Sequence, residues 1–207
     1  MRIYLASGTH EVPKILDKYP QYAQFLGWLN TPRSAMSFDT LQKTRLPIGI
    51  DNSAFTFFDE KRYRGLISRV NCDVEWITLP DVVGDPHATN RLWTEWFDEI
   101  PDEIPRAYVG QDGCENLRIP WDEFGCFFIG GTTEWKLSQS TAILVKEAQR
   151  RGKIVHMGRV NSQKRLKYAY QIGCDSVDGS GYSRFLKKYL VRDLEFLYHL
   201  HKEMYFL

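Results

Sequence analysis

Apolar stretches of strand length alternate along the chain with longer stretches in which apolar residues recur at helical spacing. Such alternation is typical of strand and helix units that build a parallel sheet. The pattern predicts eight strands, at residues 2–7, 35–39, 47–51, 75–83, 106–111, 126–130, 153–157 and 174–178.

Five helices are marked by end signals: a capping side chain, a proline at the first helical position or a glycine stop. Their predicted starts are Asp59, Asp85, Ser138 or Ser140, Asn161 and about Ser183. The third is predicted to end at Gly152 and the fourth at Gly173. Prolines interrupt residues 19–45 and 114–124, so one or two connections there are predicted to be loops rather than full helices.

Eight strands with intervening helices predict an α/β fold, a compact (β/α)8 TIM-like barrel in which residues 1–207 form a single domain. The chain is short for that fold, which typically takes about 250 residues. A doubly wound open sheet is the structural alternative. The composition, 43% hydrophobic and 26% charged, is ordinary for one globular domain.

Charge and cysteine usage restrict the partners and the compartment. A net charge of +1 gives no bulk attraction to nucleic acid, so such a partner needs a local basic patch. The four cysteines form no CxxC pair and have no histidine at zinc-finger spacing, so we expect reduced thiols and no metal. A strand-like segment directly after Met1 and the lack of any apolar run of about 20 residues predict a cytoplasmic protein without a membrane partner.

Polar residues, glycines and one methionine follow the apolar runs repeatedly. These residues are Asp51, Asp81, Gln111, Gly130 with Gly131, Met157 and Asp178. Taken alone, Asp178 before Gly179 fits an ordinary Asx turn as well as a site. Because the carboxyl ends of barrel strands meet at one rim, the repetition predicts a pocket there that contains carboxylates, an amide and closely approaching backbone. His156 is expected to be a satisfied buried imidazole rather than a base.

The same positions resemble the tRNA-guanine transglycosylases and their DNA-modifying relatives, which insert 7-deazaguanine bases, over residues 48–184. The segment from Asp51 to Phe55 is similar to the family's Asp-Ser-Gly-Gly-aromatic segment, and Gln111 lies in a counterpart of its Val-Gln-Gly element. Met157 with the following glycine is similar to the family's Met-Gly step, and Asp178 falls where its nucleophilic aspartate lies.

The resemblance implies a role for each of these residues. Asp178 would be the nucleophile and Asp51 the general acid and base. Phe55 and Met157 would cover the two faces of the base, and Asp81 would bind its N1 and N2 edge. The Gln111 amide and the backbone N–H groups of the Gly130-Gly131 turn would bind its carbonyl.

The implied activity is replacement of guanine in DNA by a 7-deazaguanine such as preQ0, through a covalent aspartyl intermediate and without a cofactor. The chain lacks the tRNA enzymes' zinc set of three cysteines and one histidine, which favours the smaller DNA-modifying branch of phages and some bacteria. The residues after Gly131 depart from the family, so recognition of the 7-substituent is expected to differ. A phage-encoded chain would act in the host cytoplasm, and a homodimer or a partner protein is compatible with the resemblance.

Cations near the proposed rim suit a phosphate backbone, although each also fits a solvated helix face. They are Arg159, Lys164, Arg165, Lys167, Arg184, Lys187 and Lys188. Three other functions stay open from the sequence: a tRNA-guanine transglycosylase, a non-catalytic nucleic-acid-binding subunit, and an N-glycoside hydrolase in which water replaces the incoming base.

Overall fold

In a computed structural model, which describes residues 1–205, eight parallel strands close into a barrel in chain order. Each strand pairs with the next, and the eighth pairs with the first, with Asp178 opposite Tyr4. The strands are β1 Arg2–Leu5, β2 Leu26–Asn30, β3 Ile48–Ile50, β4 Trp76–Thr78, β5 Arg106–Gly110, β6 Cys126–Ile129, β7 Ile154–Met157 and β8 Ser176–Asp178. The closed sheet confirms the barrel prediction and excludes the open sheet.

Helices surround the barrel. They are α1 Val12–Lys18, α2 Phe38–Gln42, α3 Glu60–Ile67, α4 Pro86–Trp96, α5 Thr133–Lys136, α6 Gln139–Arg150, α7 Gln163–Ile172, α8 Ser180–Arg184 and α9 Val191–Tyr205. A 3₁₀ turn, Cys114–Asn116, is the only helical element between β5 and β6, and α2 has only five residues. These short connections account for a barrel in so few residues. Within the described part of the chain, no helix combines the length and apolarity needed to cross a membrane.

The second strand was placed wrongly by the sequence pattern. Residues 35–39 do not form a strand: Ala35 is exposed, and Phe38 begins α2. The strand is Leu26–Asn30, all of whose residues are buried. A strand buried on both faces has no alternation of polar and apolar residues, and this one lies in the segment 19–45 that its prolines mark as a loop.

Helix starts and stops largely follow the sequence signals. The side chains of Asp59, Asp85 and Ser138 each accept the backbone N–H three residues ahead. The cap of α7 is Ser162 rather than Asn161, and this helix ends at Gly173, whose φ of 90° is left-handed.

The C-terminal segment is not the single helix that was predicted from about Ser183. It consists of α8, a π-helix at Leu186–Leu190 and α9. The leucine stripe still faces the core, because Leu190, Leu194 and Leu197 are all buried. Residues 206 and 207 lie outside the described residues.

Strand alternation divides the core into two layers. Outward-facing strand residues pack against the helices, as Val155 and Met157 of β7 do. Inward-facing residues fill the barrel, and the largest of them are Tyr4, Trp76 and Phe128. Their rings surround the imidazole of His156, with centroids 4.7 to 5.5 Å away. The interior is therefore packed solid, and any site must lie on top of it.

Glycine makes room for these rings. A Cβ at Gly49 would lie 2.5 Å from Cζ2 of Trp76, and one at Gly27 would lie 2.7 Å from Cε2 of Tyr4. Both distances are shorter than real Cβ contacts. Large and small residues thus alternate across neighbouring strands, as they must in a narrow barrel.

We predict that Gly49→Ala lowers the free energy of unfolding by about 1–3 kcal/mol, because the added methyl group forces the enclosed Trp76 ring to shift. Chemical denaturation measures the change. Gly65→Ala is the matched control, since Gly65 lies in α3 with nothing within 4 Å of an added Cβ. It should leave stability unchanged or raise it by about 0.5–1 kcal/mol. Equal effects of the two substitutions would contradict the packing described for Trp76.

Candidate functional site

The polar residues that follow the strands meet at the carboxyl-terminal rim of the barrel. Asp51 directly follows β3, Asp178 ends β8, and Gln111 and Gly130 directly follow β5 and β6. Asp81 lies three residues beyond β4. All of them line one small cavity, together with Phe55, Gly131 and Arg159. The structure therefore brings together most of the site residues that the sequence predicted.

Asp178 is held by two hydrogen bonds. Its Oδ1 accepts the backbone N–H of Arg159 at 3.1 Å, and its Oδ2 accepts from Nε2 of His156 at 3.1 Å. Nδ1 of the same imidazole lies 2.8 Å from Oγ of Ser176. A neutral ring protonated on Nε2 satisfies both contacts, because the serine hydroxyl can donate to Nδ1. His156 is fully buried, so it fixes the Asp178 carboxylate from inside the barrel.

Asp51 lies between two other carboxylates. Burial raises its pKa to about 7, and the negative charges of Asp178 and Asp81 add to the effect. Ser53, whose backbone is left-handed at φ 65°, donates its N–H to Oδ2 of Asp51 at 3.3 Å. A carboxyl group with this pKa exchanges its proton close to neutral pH, which suits a general acid and base.

Asp81 is anchored by two amides. Asn52 donates to its Oδ1 at 2.8 Å, and Gln111 donates to its Oδ2 at 2.7 Å. Burial raises the pKa of Asp81 to about 6, while the Asn52 hydrogen bond and the positive charges of Arg159 and Lys136 oppose the rise. Near neutral pH the group is largely ionised, and each of its oxygens keeps a lone pair for a ligand.

The glycine turn reaches the cavity wall, but its N–H groups already have partners. Gly130 donates to the carbonyl of Gly110 at 2.9 Å, and Gly131 donates to Oε1 of Gln111 at 2.9 Å. The same Oε1 also accepts from the N–H of Gly84 at 3.0 Å. In this structure, therefore, the turn does not present the N–H donors that were expected for a base carbonyl.

Arg159 was expected to contact a phosphate, and it lies in the cavity instead. Its guanidinium lies over the Phe55 ring, 3.6 Å from the ring centroid, and donates to the carbonyl of Gly131. The backbone of Arg159 is left-handed, with φ 59°. Burial lowers the pKa of Arg159, and the negative charges of Asp178, Asp81 and Asp51 oppose this decrease by favouring the charged guanidinium. It occupies the face of Phe55 on which a flat ligand would stack.

Two adjoining cavities share the catalytic candidates. The smaller has a volume of about 60 Å³ and lies towards Asp81 and Gln111. The larger has a volume of about 600 Å³ and lies towards β1, β2 and α8. Asp51, Asp178, Phe55 and Arg159 line both. The smaller cavity has room for only a few water molecules, so a purine fits there only after Arg159 has moved.

Met157 does not reach either cavity, contrary to its expected role over the base. Its side chain is 1% exposed and packs in the outer layer between the barrel and the helices. Strand alternation explains this position, since His156 and Met157 must point to opposite faces of β7, and His156 points inward.

Of the other predicted phosphate contacts whose side chains the structure describes, only Arg184 lines the large cavity. Lys164 and Arg165 lie in the first turn of α7, away from the residues that line the two cavities. Arg165 is still close enough to lower the pKa of Arg159 and Lys136 by charge repulsion.

Three residues in contact with the site were not predicted as part of it: His156, Asn52 and Lys136. Lys136 is buried and donates to the carbonyl of Gly158 at 2.6 Å; burial and the nearby Arg159 lower its pKa to about 7. Alternation along β7 is a signal that places His156 inside the barrel. Its contact with Asp178 depends on the register of β7 and β8, which pairs His156 with Ser176.

Within residues 1–205, no cluster of three or more histidine, cysteine, aspartate or glutamate side chains has the arrangement of a metal site. The cysteines are free thiols, and Cys114, Cys126 and Cys174 are buried.

No protein-family model and no curated protein matches the chain. Among solved structures, it is similar to an HpcH/HpaI aldolase from Desulfitobacterium hafniense DCB-2, with 12% identity, a TM-score of 0.49, and coverage of 94% of this chain and 91% of that one. It is also similar to an enolase family member from Agrobacterium tumefaciens with homology to dipeptide epimerases, with 15% identity, a TM-score of 0.46, and coverage of 87% and 55%. At this level the similarities indicate neither a reaction nor a substrate.

The raised pKa of Asp51 predicts a pH-dependent penalty on stability. Between the unfolded pKa of about 4 and the folded pKa of about 7, the folded state binds more protons, so stability falls as pH rises through this range. Asp51→Asn removes the charge and retains an oxygen for the Ser53 N–H. It should raise the free energy of unfolding at pH 8 by roughly 3–4 kcal/mol more than at pH 4.

Denaturant titrations of both proteins at the two pH values measure the difference. Asp85→Asn is the control, because Asp85 is a helix cap and asparagine caps equally well. A gain from Asp51→Asn that is the same at both pH values would contradict the raised pKa.

Proposed function

We propose that the chain is a base-exchange transglycosylase that replaces guanine in DNA with a 7-deazaguanine derivative such as preQ0. One observation carries the proposal: Asp51 and Asp178, from strands on different sides of the barrel, line the same cavity with Phe55 and Asp81. This set contains a nucleophile, an acid and base, a stacking surface and an acceptor for a purine edge. DNA is taken as the substrate from the resemblance to the DNA-modifying branch.

The reaction is a double displacement at C1′ of the target nucleotide. A carboxylate oxygen of Asp178 forms a bond to C1′ while the bond from C1′ to N9 of guanine breaks. N9 of the incoming base then attacks C1′ and releases the Asp178 carboxylate. Two inversions retain the configuration, and no group other than the two bases is consumed or produced.

Asp51 transfers the proton that each displacement step requires. The leaving guanine must gain a proton, and the incoming base must lose the one on N9. With its pKa raised to about 7, Asp51 is protonated in a large fraction of molecules at neutral pH and can serve both steps in turn. The second step returns the proton that the first step used.

Asp81 and Phe55 recognise the base. An ionised carboxylate is complementary to the N1 and N2 donors of guanine, and Asn52 and Gln111 hold Asp81 in position. Phe55, which is 60% exposed, offers one face for stacking. The base has to replace the guanidinium of Arg159 on this ring, so binding requires that Arg159 move.

His156 serves as a positioning residue. It donates to Oδ2 of Asp178 and is itself held by Ser176, so the carboxylate keeps one orientation towards the cavity. An ordered nucleophile reaches the geometry of attack at a lower entropic cost.

Asp178→Asn tests the reaction directly. Incorporation of labelled guanine or 7-deazaguanine into duplex DNA should fall at least about a thousandfold, because the amide is a poor nucleophile. Asp85→Asn is the control and should keep full activity. Retention of base exchange by Asp178→Asn would overturn the proposal. Release of guanine without incorporation of a second base would indicate an N-glycoside hydrolase instead. Labelling of tRNA but not of DNA would indicate that tRNA is the substrate.

His156→Phe should lower kcat about 10- to 100-fold and leave KM for DNA unchanged, because one hydrogen bond to the nucleophile is lost. His156→Gln can still donate a hydrogen bond to Asp178 and should recover part of the rate. Steady-state kinetics of the three proteins measures both effects, with thermal unfolding as the check on folding. A kcat equal to that of the wild type in the phenylalanine variant would rule out the positioning role.

A further inference from the structure

A groove of about 780 Å³ runs between α1 and the segment that connects α8 to α9. One wall is a single face of α1, on which Lys14, Ile15 and Lys18 lie at helical spacing. The other wall includes Phe185 and Lys188. The groove thus has apolar side chains between two rows of cations.

The groove is more basic than the molecule as a whole. Lys14, Lys18, Arg184 and Lys188 line it and are exposed, whereas Glu11 is the only carboxylate in the lining that the structure describes. Glu11 pairs with Lys14 at 3.1 Å. A chain whose net charge is +1 has no such surplus on average, so this cluster is the local patch that a polyanion would require.

The groove leads to the site. Arg184, at the end of α8, lines both the groove and the cavity of about 600 Å³ that contains Asp51 and Asp178. A strand lying in the groove would therefore pass the mouth of this cavity. The cations of α7, Lys164 and Arg165, line neither space.

Phe185 adds a second kind of contact. Its side chain is 54% exposed at the groove wall, and its ring lies 5.4 Å from the ring of Tyr189, over which the ammonium of Lys188 lies. An exposed aromatic ring between cations is the combination that binds single-stranded nucleic acid, since bases stack on the ring while the phosphates pair with the cations.

We propose that this groove binds the sugar-phosphate backbone of the DNA strand whose target nucleotide enters the cavity. Lys14, Lys18 and Lys188 contact phosphates, Arg184 holds the backbone at the mouth of the cavity, and a neighbouring base stacks on Phe185. The assignment rests on the proposed function and names the surface that presents its substrate.

The test compares two triple variants that remove equal charge. Lys14→Ala, Lys18→Ala and Lys188→Ala change the groove, whereas Lys43→Ala, Lys61→Ala and Lys146→Ala change exposed lysines in other parts of the barrel surface. Fluorescence anisotropy with a labelled single-stranded oligonucleotide, between 50 and 200 mM salt, gives the affinity and its salt dependence. The groove variant should bind at least about tenfold more weakly at low salt. The slope of the logarithm of its association constant against the logarithm of salt concentration should become shallower by about 2, which is about 0.7 for each of three lost phosphate contacts. The control should match the wild type.

Phe185→Ala separates stacking from charge. It should weaken binding about tenfold at every salt concentration and leave the slope unchanged. Ile143→Ala, which removes an exposed apolar side chain from α6, should have no effect.

Equal affinity and slope in the two triple variants would overturn the assignment. The assignment would also be overturned if sedimentation showed that the groove variant no longer self-associates while its DNA binding is unchanged. The groove would then bind a second copy of the chain. The binding assay uses Asp178→Asn protein as well, which cannot exchange bases. If the wild type binds DNA through the groove but does not exchange bases, only the proposed function is refuted. If the groove variant exchanges bases with an unaltered KM for DNA, only the assignment of the groove to DNA binding is refuted.

Discussion

The crowding of three carboxylates at one end of a narrow barrel determines the character of this site. Asp51 and Asp81, which follow β3 and β4, and Asp178, which ends β8, line a cavity of about 60 Å³. Burial raises the pKa of Asp51 and of Asp81, and the negative charges of Asp178 and Asp81 raise that of Asp51 further. The three carboxyl groups differ in how their surroundings stabilise them. Amides hold Asp81, an imidazole and a backbone N–H hold Asp178, and Asp51 responds with a pKa raised to about 7. Unequal support of similar groups is the physical basis for assigning them different roles.

The same crowding explains why Arg159 lies in the cavity. Its flat guanidinium lies over the Phe55 ring and donates to the carbonyl of Gly131. It therefore fills space that a planar ligand with hydrogen-bonding groups on its edges would need. A guanine-like base has a similar flat shape, and in the proposed reaction its N1 and N2 donors would face Asp81. The Arg159 side chain therefore lies close to the three carboxylates and also covers one face of the Phe55 ring.

Much of the fold could be predicted from the sequence, because helical and strand periods alternate clearly and the caps Asp59, Asp85 and Ser138 mark helix starts. The rim residues could be predicted too, since a barrel places every strand end on one edge. The second strand could not, because burial on both faces removes its period. Nor could the position of the Arg159 side chain or the pairing of His156 with Asp178, which depend on charges brought together by folding and on strand register. The outward position of Met157 follows from alternation along β7, but the role expected for this residue was taken from the family resemblance instead.

The claim that Asp51 and Asp178 share one low-dielectric cavity can be measured without any substrate. Carbon-13 NMR of aspartate-labelled protein follows each carboxyl group through a pH titration, with the Asp51 signal assigned from its loss in Asp51→Asn. The account predicts a pKa of about 7 for Asp51, and a lower pKa for Asp51 in Asp178→Asn, where the neighbouring negative charge is gone. An Asp51 pKa of about 4, or one that does not change when Asp178 is neutralised, would contradict it.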